Sequence, residues 1–201
     1  MDSSKKHFHT LDALRFFSFL IVFFHHIPIP ENSWFSVFSK SGDVGVSFFF
    51  VLSGFLISYI LIFEKKANKT INLKNFLAKR ILKIWPLFYA MLLFAFLTPF
   101  ILKQLQLSFS NEGYEPNWLL SVLFLENYNM MLTNNFPNVS PLRVMWSLCI
   151  EEHFYIIWGF LFSIIPLNKI KYLIIISIVL ASVCRLFYSY FNLPFLDVFT
   201  N

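Results

Sequence analysis

The chain has 201 residues, of which 57% are hydrophobic, 20% aromatic and only 13% charged. A soluble domain carries about 25% charged residues to cover its surface, so this composition excludes an ordinary water-soluble protein. The net charge of +5 gathers largely in one short connection between apolar runs, which leaves nucleic acid a poor partner.

In chain order, five apolar stretches approach the ~20 residues that cross a bilayer. The first, about 11–29, begins "LDALRFFSFLIVFFHH". It follows Lys5 and Lys6 but ends in a histidine pair with no small-residue cleavage site, so it reads as a retained span rather than a signal peptide. The second, 44–63, "VGVSFFFVLSGFLISYILIF", and the third, 84–102, "IWPLFYAMLLFAFLTPFIL", are uncharged. "WLLSVLFL", 118–125, is too short to span and reads as an interfacial or re-entrant helix. The fourth span covers 142–166, with Ser140 and Pro141 placed to start its helix. The fifth covers 170–191 and carries Arg185. The tail "NLPFLDVFTN" reads as a polar excursion leading to something further. The predicted fold is an all-α polytopic transmembrane bundle of about five spans.

Loop charge sets direction. Lys65, Lys66, Lys69, Lys74, Lys79, Arg80 and Lys83 stand against Glu64 between the second and third spans, and Lys169 and Lys171 between the fourth and fifth. The other connections are poor in base. The positive-inside rule therefore puts the amino terminus and both basic connections in the cytoplasm. The two cysteines, Cys149 and Cys184, sit in apolar segments and suggest neither a disulfide framework nor a zinc site.

Ionisable groups within spans are costly and mark functional sites by default. Arg15 and His26 are eleven residues apart, about three turns, so they share a helix face roughly 16 Å apart along the axis. Asp12 lies near the same face, and His25 points about 100° away. In "WSLCIEEHFY", Ser147, Glu151 and Tyr155 repeat every four residues and form one stripe, while Glu152 faces another neighbour. Two adjacent carboxylates at this depth call for a cationic partner or a shared proton; Arg15, His26 and Arg185 are the candidates. Counting residues from each membrane face brings His26 and Glu151–Glu152 to similar depth, about 15 Å in, where one polar site could hold them. Lys79, Arg80 and Lys83, just before the third span, suit anionic lipid heads or the phosphates of a nucleotide-like ligand. Structural readings stand beside these: interface anchors in the first span, and a helix-locking ion pair in the fourth.

Four ordered motifs carry a resemblance. "LDALRFFSFLIVFFHH" resembles the opening motif of the acyltransferase-3 family of integral membrane O-acyltransferases acting on bacterial surface carbohydrates, with its arginine, ten residues and histidine at Arg15 and His26. "GVSFFFVLSGFLIS" (45–58), "FLAKRILKIWPLFY" (76–89) and "WSLCIEEHFYIIW" (146–158) are similar to its second-span, basic and double-glutamate motifs.

The resemblance implies transfer of an acyl group, commonly acetyl, from acyl-CoA to a carbohydrate hydroxyl. Lys79, Arg80 and Lys83 would meet the coenzyme's phosphates. His26 would act as general base or carry the acyl group briefly, and Arg15 would orient the donor or offset developing charge. Glu151 or Glu152 would set the histidine's state or hold the sugar. Trp146, Ser147 and Tyr155 are the substrate-side candidates. No metal is implied. The expected partners are membrane lipids and the carbohydrate acceptor. The expected location is the bacterial inner membrane. The family implies roughly ten spans, so about half the fold is expected here, with further spans or another chain needed. Lys83 stands where the family repeats arginine and loses the bidentate fork, and His153 stands where glutamine is frequent. Two other classes remain open: a small-solute or proton-coupled transporter, whose relays use the same residue types, and an inactive truncated scaffold.

Overall fold

The computed structural model describes residues 9–107 and 112–191 apart from 29, 31, 32, 34 and 35. Lys5, Lys6 and the tail from residue 192 lie outside the described residues. The chain divides into two compact units, 1–60 and 61–201.

The first unit holds α1 (His9–His26), the short α2 (Ser36–Ser39) and most of α3 (Gly42–Asn68). α1 and α3 run antiparallel. Gly42 lies against the His25 imidazole, Gly45 against Ser18, Ile21 and Val22, and Phe49 opposite Arg15. Gly45 makes the close approach possible: a Cβ there would stand 2.8 Å from Val22 Cγ2 and 3.0 Å from the Ser18 carbonyl. Ser18, buried at this contact, turns its hydroxyl back onto the Leu14 carbonyl at 2.9 Å, which removes an otherwise unpaired donor.

The second unit is organised by an antiparallel pair, α4 (Leu73–Gln104) and α7 (Trp146–Ile164). Gly159 of α7 meets Leu73 and Phe76, Tyr155 meets Arg80, Glu152 meets Trp85, and Cys149 shares a core with Phe88, Leu92 and Ala95. α4 continues helical through Pro86 and Pro99. Between the pair run α5 (Trp118–Val122), α6 (Glu126–Thr133) and a 3-10 turn, Ser140–Val144. This excursion packs onto the pair: Phe124 stacks on Phe88 at 3.8 Å, and Val139, Leu142 and Met145 complete the core. α8 (Ile170–Tyr190) follows and buries only Ile170.

Among the described residues, four helical stretches are long and apolar enough to cross a membrane: Gly42–Asn68, Leu73–Gln104, Pro141–Ile164 and Leu167–Tyr190. α1, with 18 residues and about 27 Å of rise, is not among them; Asp12, Arg15, His25 and His26 dilute its apolar run. The multi-pass, all-α architecture is that expected.

Three boundaries differ from the sequence reading. The basic 64–83 connection is nearly all helix: α3 runs to Asn68 and α4 starts at Leu73, capped by the Asn72 side chain accepting from Asn75 N–H at 3.0 Å. Hydropathy marks where apolar side chains stop, whereas lysine and arginine are good helix formers. Pro141 opens the 3-10 turn rather than α7, whose N-cap is Met145, and the side chain of Ser140 lies outside the described residues. The apolar run 118–125 breaks at Leu123, and a second short helix, α6, follows. Of the cysteines, Cys149 is buried and Cys184 exposed.

Candidate active site

The first unit carries Arg15 and His26 on α1. The Arg15 guanidinium carbon lies 5.8 Å from the Phe49 ring centroid on α3, within cation–π range. Its Nε is buried with no hydrogen-bond partner among the described residues. His26 ends the helix and is exposed. Its ring lies 5.0 Å from that of His25 at 70°, so the two imidazoles touch edge to face although their Cα positions differ by about 100°. His25 is held against Gly42, where a Cβ would collide with its ring. The α1–α3 pairing therefore fixes His25, which spacing alone set aside.

The second unit brings the basic and double-glutamate segments together. Tyr155 donates to Glu151 Oε2 at 2.8 Å, one turn back on the stripe they share on α7. The Arg80 guanidinium lies 5.3 Å from the Tyr155 centroid and 5.8 Å from that of Phe76. Arg80, Tyr155 and Glu151 thus form a connected set across α4 and α7. Lys79 and Lys83 flank Arg80 and are exposed, and Arg185 is exposed on α8. Glu152 faces a different neighbour, as expected. It is 4% exposed, accepts from the Trp85 indole N–H at 2.7 Å on Oε1, and keeps Oε2 without a partner among the described residues. Trp146 and Ser147 sit half-buried in the first turn of α7, Ser147 donating weakly to the Val144 carbonyl at 3.4 Å. Tyr155, named from sequence as a substrate-side candidate, is buried between Arg80 and Glu151.

Two features escaped the sequence reading. Lys65, 6% exposed, donates to the carbonyls of Phe162 at 2.6 Å, Ser163 at 3.2 Å and Ile165 at 2.6 Å. An ammonium has three donors, and here they close the carboxyl end of α7, where the last carbonyls lack helical partners. One of the seven basic residues is thereby structural. Beyond the basic segment, Glu126 is buried and accepts from both Tyr114 and Ser121 hydroxyls. Burial and this carboxylate push the Tyr114 phenol up. No spacing rule finds such a cluster, because Tyr114, Ser121 and Glu126 meet only after the excursion folds back.

A profile describing an acyltransferase domain matches residues 8–201. The chain belongs to this acyltransferase family. It is 35% identical over 161 residues to the peptidoglycan O-acetyltransferase OatA of Listeria monocytogenes serovar 1/2a, covering 77% of this chain and 24% of that protein. It is 32% identical over 153 residues to the putative peptidoglycan O-acetyltransferase YrhL of Bacillus subtilis, covering 74% and 22%. It is 28% identical over 175 residues to the O-acetyltransferase OatA of Staphylococcus aureus, covering 84% and 28%. The chain spans about a quarter of the length of these relatives. No solved structure matches.

Proposed function

We propose that this acyltransferase chain serves a membrane O-acyltransferase that moves an acyl group, acetyl in the simplest case, from acyl-CoA to a hydroxyl of a cell-wall carbohydrate. The observation that carries this reading is the α4–α7 seam, where Arg80, Tyr155 and Glu151 are joined inside a membrane-spanning helix pair. The relatives' names point to peptidoglycan as the acceptor.

Chemically, the acceptor O–H loses its proton to a base, the oxygen bonds to the thioester carbonyl carbon, and the C–S bond breaks. The coenzyme leaves as a thiol and an ester remains. His26 is the base, since an imidazole titrates near neutral pH. It hands the same proton to the departing sulfur. Arg15, half-buried on α1, offsets negative charge on the carbonyl oxygen, because a fixed cation acts strongly where water is excluded. Lys79, Arg80 and Lys83 receive the donor's phosphates; Lys79 and Lys83 are exposed for this. Glu151, through Tyr155, steadies Arg80. The orientation that fits has the basic turns cytoplasmic and the α5–α6 excursion outside, in a bacterial plasma membrane.

The test uses membranes containing the chain, labelled acetyl-CoA and peptidoglycan glycans. His26→Ala should abolish transfer while membrane insertion persists, and turnover at the wild-type rate would remove His26 from the mechanism. Joint replacement of Arg80 and Lys83 by Ala should raise the KM for donor about tenfold or more. Solute uptake without acyl transfer would favour a transporter, and neither activity would favour a scaffold.

A further inference from the structure

α1 ends at His26, and Pro28 stands two residues beyond. An exposed side chain on the last residue of a helix, as His26 is, keeps its rotamers open unless a neighbour packs against it. Reaction geometry is less forgiving, since a base displaced by about 1 Å loses much of its rate. A base in this place therefore needs a neighbour that is itself held.

His25 is that neighbour. Adjacent helix positions point about 100° apart, so helix geometry by itself does not bring their rings together. Here the two imidazoles meet edge to face, with centroids 5.0 Å apart at 70°. The His25 ring is placed from α3. Its Cγ, Cδ2 and Nδ1 crowd the point that a Cβ on Gly42 would take, so the ring fills space that any other residue there would claim, and Gly42 is buried. Gly42 is fixed in turn at the corner of α2 and α3. The Ser41 hydroxyl donates to the Val37 carbonyl at 2.7 Å, and the Gly45 N–H donates to the Ser41 carbonyl at 3.2 Å. Gly45 also seats α3 against Ser18, Ile21 and Val22, one to two turns before His25 on α1. The contacts run in one line: α1 docks on α3, Gly42 receives His25, and His25 bears on His26.

We propose that His25 is a positioning residue for acyl transfer: clamped on Gly42, it holds the His26 imidazole in the orientation from which it takes the acceptor's proton and returns it to the departing sulfur. The proposal rests on reading His26 as the base of an O-acyltransferase. It gives a task to the histidine that lies off the face shared by Arg15 and His26. His25 itself carries no proton in this step. Its ring acts by contact, so another aromatic ring of similar size serves.

The experiment measures transfer from labelled acetyl-CoA to peptidoglycan glycans in membranes containing the full chain, beside the nitrogen NMR spectrum of histidine-labelled protein in lipid nanodiscs. His25→Ala should lower kcat about tenfold or more while the KM for donor and for acceptor stays within about twofold of wild type. His25→Phe, which keeps a ring on Gly42, should hold kcat within about threefold of wild type. Gly42→Ala displaces the ring and should lower kcat as His25→Ala does. The double variant should be no slower than the slower single one, because both changes act through one contact. An unchanged kcat in His25→Ala overturns the proposal, as does multiplication of the two effects in the double variant. Loss of activity in His25→Phe overturns it too, by making His25 a proton carrier. The spectrum separates this proposal from the reading beneath it. The His26 signals should shift and broaden in His25→Ala whether or not the chain transfers acyl groups. That change without any transfer by wild type removes the acyltransferase and leaves the clamp standing. Transfer by wild type, with kcat and the His26 signals unmoved in His25→Ala, removes the clamp and leaves the acyltransferase standing.

Discussion

Glu152 shows what a single residue demands of its surroundings. Its carboxylate is buried, and one oxygen is bonded by the Trp85 indole. Replacing Trp85 with Phe keeps an aromatic ring and deletes the indole donor, leaving both oxygens buried without it. The expected cost is about 1–3 kcal/mol, read as a lower unfolding temperature in nanodiscs, while Trp85→Phe combined with Glu152→Leu should recover most of it. No recovery in the double variant would mean the indole acts through packing alone. Tyr114 behaves differently because it lies in the excursion. Burial and Glu126 raise its pKa in the folded state, so the contact's contribution is constant below pH about 10, where the unfolded phenol is still protonated, and is lost as pH rises further. Tyr114→Phe should flatten this alkaline fall in stability. An unchanged alkaline limb would assign the loss to other groups.

At the scale of elements, the α4–α7 pair depends on two devices at one end. Gly159 lets the helices approach, since a Cβ there would lie 2.9 Å from the Phe76 ring. Lys65 closes the last turn of α7 through three carbonyls. Lys65→Met removes the donors from a buried helix end while keeping the aliphatic stem. We expect faster hydrogen exchange at residues 161–165 and a loss of about 1–3 kcal/mol, with partial rescue by Arg. Exchange unchanged from wild type would show that water caps this end equally well. The basic motif illustrates how far a sequence carries at this scale. Spacing found Lys79, Arg80 and Lys83 as a cluster, and α4 does present them together. Yet Arg80 is turned towards Tyr155, and Lys65 is spent on α7. Net charge along a chain does not say which cation faces solvent, because that depends on which helix packs alongside.

Among the described residues, four helices meet the length and apolarity of a membrane span, and the positive-inside rule predicts a direction for them. A single cysteine at Lys66 should be labelled only from the cytoplasmic side of sealed vesicles, and one at Glu115 only from the other. Labelling of both from the same side would break the crossing assigned to α4. α8 shows the opposite limit. It is apolar throughout and buries only Ile170 among the described residues, so its packing draws little on the rest of this chain.

The sequence by itself determined the class of the protein, the approximate position of most of its spans, their expected direction and the family. These follow from quantities that accumulate along a chain: apolar length, loop charge and ordered motifs. It also placed Glu151 and Tyr155 on one stripe and Glu152 off it, since helical spacing is local. Only the tertiary structure decided that Arg80 joins that pair, that Trp85 bonds Glu152 and that Lys65 caps α7. Those contacts join residues up to 100 positions apart. They are set by which faces of two helices fit together, and no period within either helix encodes that.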